Sequence, residues 1–290
     1  MVGSLASIEA TSVAAASPPL PQQLARLKCI HVSMHALRCV VAATAPEMIR
    51  VYSDTRCRRH GPTRIHSNQC GGMGAYVKTF ALISQKGGVA KTTLATALAV
   101  AAEANGRRTV LFDLDPQASA AFWKDTRQAE TPAVLALPSA RLGHMLKAAG
   151  EAGTDLAIID TPPFAKDIAF EAAQAADFIL IPTRPAVLDV MSMTKTVELV
   201  RHYGKPSAVV LTFCPTQGRE VSDTVDAIEQ LGAQLAPVKI HTRVAYSRAQ
   251  QTGLAAQEFE PEGKAAYEVQ RLWKFVCMHL FTSKKQKVAA

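Results

Sequence analysis

The stretch ISQKGGVAKTTLATALAV, residues 83–100, limits the possible fold more than any other part of the chain. It closes an apolar run, passes through a loop of small residues and opens into an alanine- and leucine-rich segment. That strand–loop–helix order lets successive backbone N–H groups and a helix N-terminus cradle phosphate oxygens. Gly87, Gly88, Val89 and Ala90 form the loop. Lys91 supplies a charge for the terminal phosphates, and the Thr92 hydroxyl, with Thr93 beside it, is the expected direct ligand of Mg²⁺. Ala90 stands where the G-x-x-x-x-G-K-[ST] template has its last glycine, a harmless change at negative φ and a damaging one if the loop needs positive φ. Lys86 is a second lysine in this loop, although one suffices to hold a phosphate.

From residue 77 onward, short apolar runs alternate with helix-length segments, as in a parallel sheet covered on both faces. Strands are predicted at 78–84, 108–114, 155–160, 177–182 and 207–213, with shorter ones near 133–136 and 237–240. After the first helix, which closes at Asn105-Gly106, helices are predicted near 117–127, 140–149, 167–175, 188–203, 221–232 and 263–281. The fold class is α/β: a doubly wound, mainly parallel sheet of the P-loop NTPase kind. Such sheets present their crevice at the C-terminal strand ends. Acids sit at two of them. Asp113 and Asp115 in LFDLDPQ face one side if the strand runs on, and Asp160 ends LAIID, placed to hold a metal-bound water. Taken singly, each acid could equally cap a helix or close a turn.

Charge divides the 290 residues unevenly. Of the net +8, residues 1–72 carry +5, residues 73–180 carry −1 and residues 181–290 carry +4, so a basic surface on the main domain has to come from its second half. Residues 1–72 lack the apolar periodicity of a packed unit and are expected to be a low-complexity, disordered or over-extended leader, with the compact domain spanning 73–290. A small DNA-binding appendage and an Arg-rich targeting peptide are the rival readings of that leader. The six cysteines show no C-x-x-C pair and no metal-ligand rhythm, which points to a reduced cytoplasmic chain. No apolar run approaches the length of a membrane span.

KGGVAKTT, followed by DLDPQ and IIDTPP, resembles the deviant Walker A ATPases of the ParA/MinD group, and the likeness covers residues 77–281. The resemblance implies Mg-dependent hydrolysis of ATP. It makes Lys86 the lysine that reaches across an ATP-bound sandwich homodimer to the partner's phosphates, a charge stabiliser of the kind an arginine finger supplies. It also gives Asp115 the attacking water, Asp160 the position near Mg²⁺ and Asp113 a supporting part. The ending TRVAYSRAQQTGLAAQEFEPEGKAAYEVQRL resembles that of the partition members, a helix followed by a proline and a final long helix.

Within that group, the iron protein of nitrogenase needs cluster-ligating cysteines, absent between Lys91 and Phe213, and the tyrosine-kinase branch needs a tyrosine-rich tail. The DNA-segregation branch fits better. It implies a cytoplasmic, nucleoid-associated ATPase for plasmid or chromosome partitioning, with a ParB-like adaptor, no membrane partner and non-specific DNA binding through the phosphate backbone. Arg219, Arg243, Arg248 and Lys274 are the candidate DNA contacts, with Lys284, Lys285 and Lys287 as helpers. A nucleotide-gated accessory protein of conjugative DNA transfer would share this core. So would a MinD-like, membrane-cycling ATPase, if the apolar stripe of VQRLWKFVCMHLF lay on a bilayer rather than in the core.

Overall fold

The structure, a computed structural model, describes residues 76–282. The expected leader over 1–72, the expected domain start at Met73 and the tail lysines Lys284, Lys285 and Lys287 lie outside the described residues. In order, the elements are β1 (Lys78–Leu82), α1 (Lys91–Ala104), β2 (Thr109–Asp113), α2 (Ser119–Thr126), β3 (Ala133–Ala136), a 3-10 turn (Ser139–Arg141) and α3 (Leu142–Glu151). They continue as β4 (Leu156–Asp160), α4 (Lys166–Ala175), β5 (Phe178–Thr183), α5 (Val187–His202), β6 (Ser207–Cys214), α6 (Glu220–Gln230), β7 (Leu235–His241), α7 (Val244–Gln251), α8 (Ala256–Phe259) and α9 (Lys264–Phe281).

The strands form one sheet in the order β3-β2-β4-β1-β5-β6-β7, and every neighbouring pair is parallel. Strand alternation sorts the core into two layers. Phe80 and Leu82 enter one with α1, Trp123 and α9, while Ala81 and Ile83 enter the other with residues of α3, α4 and α5. β1 lies between β4 and β5, so the chain winds away from it in both directions. The loop after β1 therefore sits where a doubly wound sheet opens its crevice.

Strong helix formers build α1, and Leu94 through Ala102 are all buried in it. It stops as expected at Asn105-Gly106: Gly106 takes φ 77°, its N–H reaches the Glu103 carbonyl at 2.9 Å, and the Arg107 N–H reaches that of Ala102 at 3.0 Å. In α9, Leu272, Phe275, Val276 and Leu280 are buried in the layer that holds Phe80, so this apolar stripe is core and is not free to lie on a bilayer. No described helix is long and apolar enough to cross a membrane.

One departure from the predicted pattern matters for the site. β2 ends at Asp113, so Asp113 and Asp115 do not share one side of a continuing strand. Asp113 instead turns its carboxylate back onto the chain, accepting the N–H of Asp115 at 3.0 Å and those of Ala120 and Ala121 at 2.9 and 3.3 Å. It thereby caps α2. The other end of α2 is fixed from a distance. The indole N–H of buried Trp123 donates to the Leu254 carbonyl at 3.0 Å, and Arg127 forks onto Glu258 at 2.8 and 2.6 Å while also donating to the Gly253 carbonyl. Gly253 is required there, since it has φ 67° and a Cβ would lie 2.5 Å from the Arg127 nitrogen.

Candidate functional site

Ala90 is the residue on which α1 starts, and it takes the left-handed conformation, φ 66° and ψ 27°. An L-residue there costs about 1–2 kcal/mol. The neighbourhood over-determines the conformation. The Ala90 carbonyl accepts the Leu94 N–H at 2.9 Å, its side chain packs against the α1 layer, and the carbonyl of buried Val89 accepts the Thr212 hydroxyl at 3.2 Å. Gly88, at φ 69°, has no such strain. Ala90→Gly is expected to keep nucleotide binding, with stability within about 1 kcal/mol of the parent because strain relief opposes unfolded-state entropy. Ala90→Val should lower the melting temperature by roughly 2–8 °C, since a branched Cβ is least tolerated at positive φ; a thermal melt of the two variants checks this.

The first-turn N–H groups of α1, at Lys91, Thr92 and Thr93, have no acceptor within the helix and point at the crevice with the positive end of the helix dipole. Lys91 is buried and its Nζ donates to the Lys86 carbonyl at 3.0 Å. Burial pulls its pKa down, against the opposing charges of Asp160 and Asp115. The Thr92 hydroxyl donates to Asp160 Oδ2 at 2.6 Å. Sheet register brings these groups together: Asp160 stands opposite Leu82 of β1 on one side and Asp113 of β2 on the other. Burial pushes the Asp160 carboxyl up to about 7; the Thr92 hydrogen bond and Lys91 pull it down, while Asp113 and Asp115 push it further up.

Asp160 Oδ1 is buried and has no hydrogen-bond partner among the described residues. An acceptor of this kind, beside a hydroxyl and below an anion-cradling loop, fits Mg-ATP: Thr92 would hold the metal directly and Asp160 through water. No group of three or more His, Cys, Asp or Glu among the described residues could hold a metal by itself. A Mg²⁺ that takes most of its ligands from phosphate and water needs no such group.

Asp115 lies on the same rim, partly exposed, its Oδ1 accepting the Gln117 N–H at 2.9 Å. Lys86 lies at the mouth, its side chain about one-third exposed, with Nζ 3.5 Å from Asp189 Oδ1. Asp189 is buried in the first turn of α5 and also takes Arg184 Nε at 2.5 Å. The sequence offered only a weak signal for Asp189, because an acid in the first turn of a helix usually serves the helix dipole.

The candidate DNA contacts are spread over the second half of the domain. Arg219 opens α6, whose buried residue Ile228 belongs to the layer opposite α9. Arg248 is exposed on α7 and Lys274 is exposed on α9. Arg243 is engaged: Nε and Nη2 donate to Glu268 Oε1 at 3.0 and 2.6 Å, and that buried carboxylate also takes His241 Nδ1 at 2.8 Å and the Tyr246 hydroxyl at 3.2 Å.

Comparison with known proteins agrees with this geometry. The pattern of the CobQ/CobB/MinD/ParA nucleotide binding domain matches residues 80–256. The chain is 33% identical over 216 residues to the "Maintenance of carboxysome distribution protein A" of Gloeobacter kilaueensis, an alignment spanning 72% of this chain and 97% of that one. It is 31% identical over 159 residues to the "Chromosome-partitioning ATPase Soj" of Thermus thermophilus, covering 44% of this chain and 64% of that one. The fold superposes on the septum site-determining protein MinD complexed with Mg-ADP from Pyrococcus horikoshii with a TM-score of 0.61, at 18% identity and covering 74% and 99% of the two chains. Phosphate loop, sheet order, the acids beside the loop and this likeness agree: the chain belongs to the CobQ/CobB/MinD/ParA family of nucleotide-binding ATPases.

Proposed function

We propose that the protein is a ParA-type positioning ATPase: it binds Mg-ATP, closes into a sandwich homodimer, binds DNA without sequence preference, and lets go after slow hydrolysis stimulated by a ParB-like adaptor. The observation that carries this reading is the second lysine. Lys91 is buried against its own loop, whereas Lys86 stands at the mouth on a single 3.5 Å contact to Asp189. Asp189 is buried but also holds Arg184, so Lys86 can leave it for the phosphates of a second subunit without stranding an unpaired carboxylate. The protein would work in the cytoplasm on the nucleoid, without a membrane partner. Plasmid or chromosome partitioning is one cargo assignment. The relative matched over 97% of its length is named for carboxysome distribution, which favours the wider class of positioning a large body, replicon or protein, over DNA.

The mechanism follows from what each side chain can do. Lys91 and the first-turn N–H groups of α1 would hold and neutralise the terminal phosphates, Thr92 and Asp160 would hold the metal, and Asp115 would orient the attacking water. Mg²⁺, when bound, neutralises charge on the β- and γ-phosphates. Lys86→Ala is the decisive variant. It should retain ATP through Lys91 yet stay monomeric in sizing chromatography with ATP, and its DNA affinity should fall to that of the ATP-free parent. Parental dimerisation by this variant, or DNA binding by the parent that is indifferent to ATP, would remove the proposal while leaving the phosphate loop intact.

A further inference from the structure

Away from the nucleotide, the open edge of the sheet carries a second concave surface. β7 is one of the two edge strands, and two of its positions are closed to another strand. Pro237 has no N–H and its carbonyl takes Arg271 Nη2 at 3.0 Å, while the His241 N–H is taken by Glu268 at 3.3 Å. Between this edge and α9 lies a groove of about 480 Å³ with an apolar floor from β7 and a polar wall of Lys239, His241, Arg243, Lys264, Tyr267 and Arg271, with Glu268 beneath. Glu268 is neutralised by Arg243, its partner at 2.6 Å. No ion pair joins Lys239, Lys264 or Arg271 to an acid among the described residues, so three positive charges on the groove stand uncompensated.

Their spacing is that of a linear track. Lys264, Tyr267, Arg271 and Lys274 are exposed at i, i+3, i+7 and i+10 of α9, one face of the helix running about 15 Å at 1.5 Å per residue. One strand of a duplex carries a charge every ~3.4 Å of axis, so such a track spans about four phosphates. An acidic peptide would be expected to add backbone hydrogen bonds along the edge, where Pro237 lacks an N–H and that of His241 is already taken. A phosphodiester backbone needs only the charges.

We infer that the groove between β7 and α9 binds the phosphodiester backbone of nucleic acid, with Lys239, Lys264 and Arg271 as its contacts and Arg243 as a structural cation held by Glu268. The inference rests on the DNA-binding reading above and adds to it three contact residues and a different part for Arg243.

The test measures a fluorescent duplex binding to the full chain with ATP, at 50 and 200 mM salt. The triple variant Lys239→Gln, Lys264→Gln, Arg271→Gln should lose about forty-fold less affinity over that salt range than the parent, at roughly 0.9 of log–log slope per phosphate contact. ATP affinity should be unchanged, and the all-charge-retaining set (Lys239→Arg, Lys264→Arg, Arg271→Lys) should keep the parental slope. Lys264→Gln alone, at an exposed position, should reduce the slope by about 0.9 and guards against misfolding of the triple variant. Arg243→Ala should lower the melting temperature, which the lysine variants should not. A triple variant with the parental salt slope overturns the groove while leaving the DNA-binding reading standing. A parent that fails to bind duplex at either salt overturns both. Polyglutamate is titrated in the same assay; loss of its binding by the triple variant with duplex binding retained would make the groove an acidic-peptide site and overturn the inference as well.

Discussion

Lys91→Ala should lose about 2–5 kcal/mol of ATP binding, roughly 30- to 5,000-fold in Kd, because its buried ammonium lies within the loop, where it would meet the terminal phosphates. Among the described residues its side chain donates only to the Lys86 carbonyl, which the backbone can spare, so the variant should fold. Calorimetric titration with ATP, beside a circular-dichroism spectrum to confirm folding, reads the result. Parental affinity in a folded variant would mean that the phosphates lie elsewhere.

Asp115→Ala and Asp113→Ala should fail in different ways, although the two acids are separated by a single residue. Asp115 is partly exposed on the rim and holds one local N–H, so its removal should cost turnover about 10²–10⁴-fold while leaving ATP affinity close to parental and letting the ATP-bound dimer accumulate. Asp113 is buried with three N–H donors on its carboxylate. Its removal leaves capping groups of α2 unpaired and should cost about 1–3 kcal/mol of stability, seen as a lower melting temperature. Single-turnover hydrolysis, ATP titration and thermal melts of both variants separate the roles. If Asp115→Ala lost ATP affinity as severely as turnover, Asp115 would be holding the metal and not the water.

Signals confined to neighbouring residues are legible in the amino-acid sequence alone. The apolar runs place the seven described strands, the Asn105-Gly106 stop ends α1 where it does end, and the small-residue loop before Lys91 marks the candidate phosphate site, because strand alternation, helix stops and phosphate loops are properties of a few consecutive residues. Asp160 can be singled out for the same reason, as a lone acid ending a buried strand. The split between Asp113 and Asp115 cannot. It depends on where β2 stops hydrogen bonding, and either acid could have capped the helix that follows.

What the chain determines by itself is thus the alternation of strand and helix, the loop and its two lysines. The tertiary structure decided the partnerships. Thr92 meets Asp160 across 68 residues of sequence because β4 inserts between β2 and β1. Lys86 meets Asp189 because β5 flanks β1 on the other side and α5 starts at its end. Arg243, a free surface charge as far as local sequence could show, is tied to Glu268 because α9 packs on the edge strand. Ala90 is held at positive φ by contacts with the core. The physical reason is common to all four. A side chain's charge and shape are fixed by its own residue type, but which charge it meets depends on strand order, and strand order is set by burial of the whole sheet between two helical layers, not by any local preference.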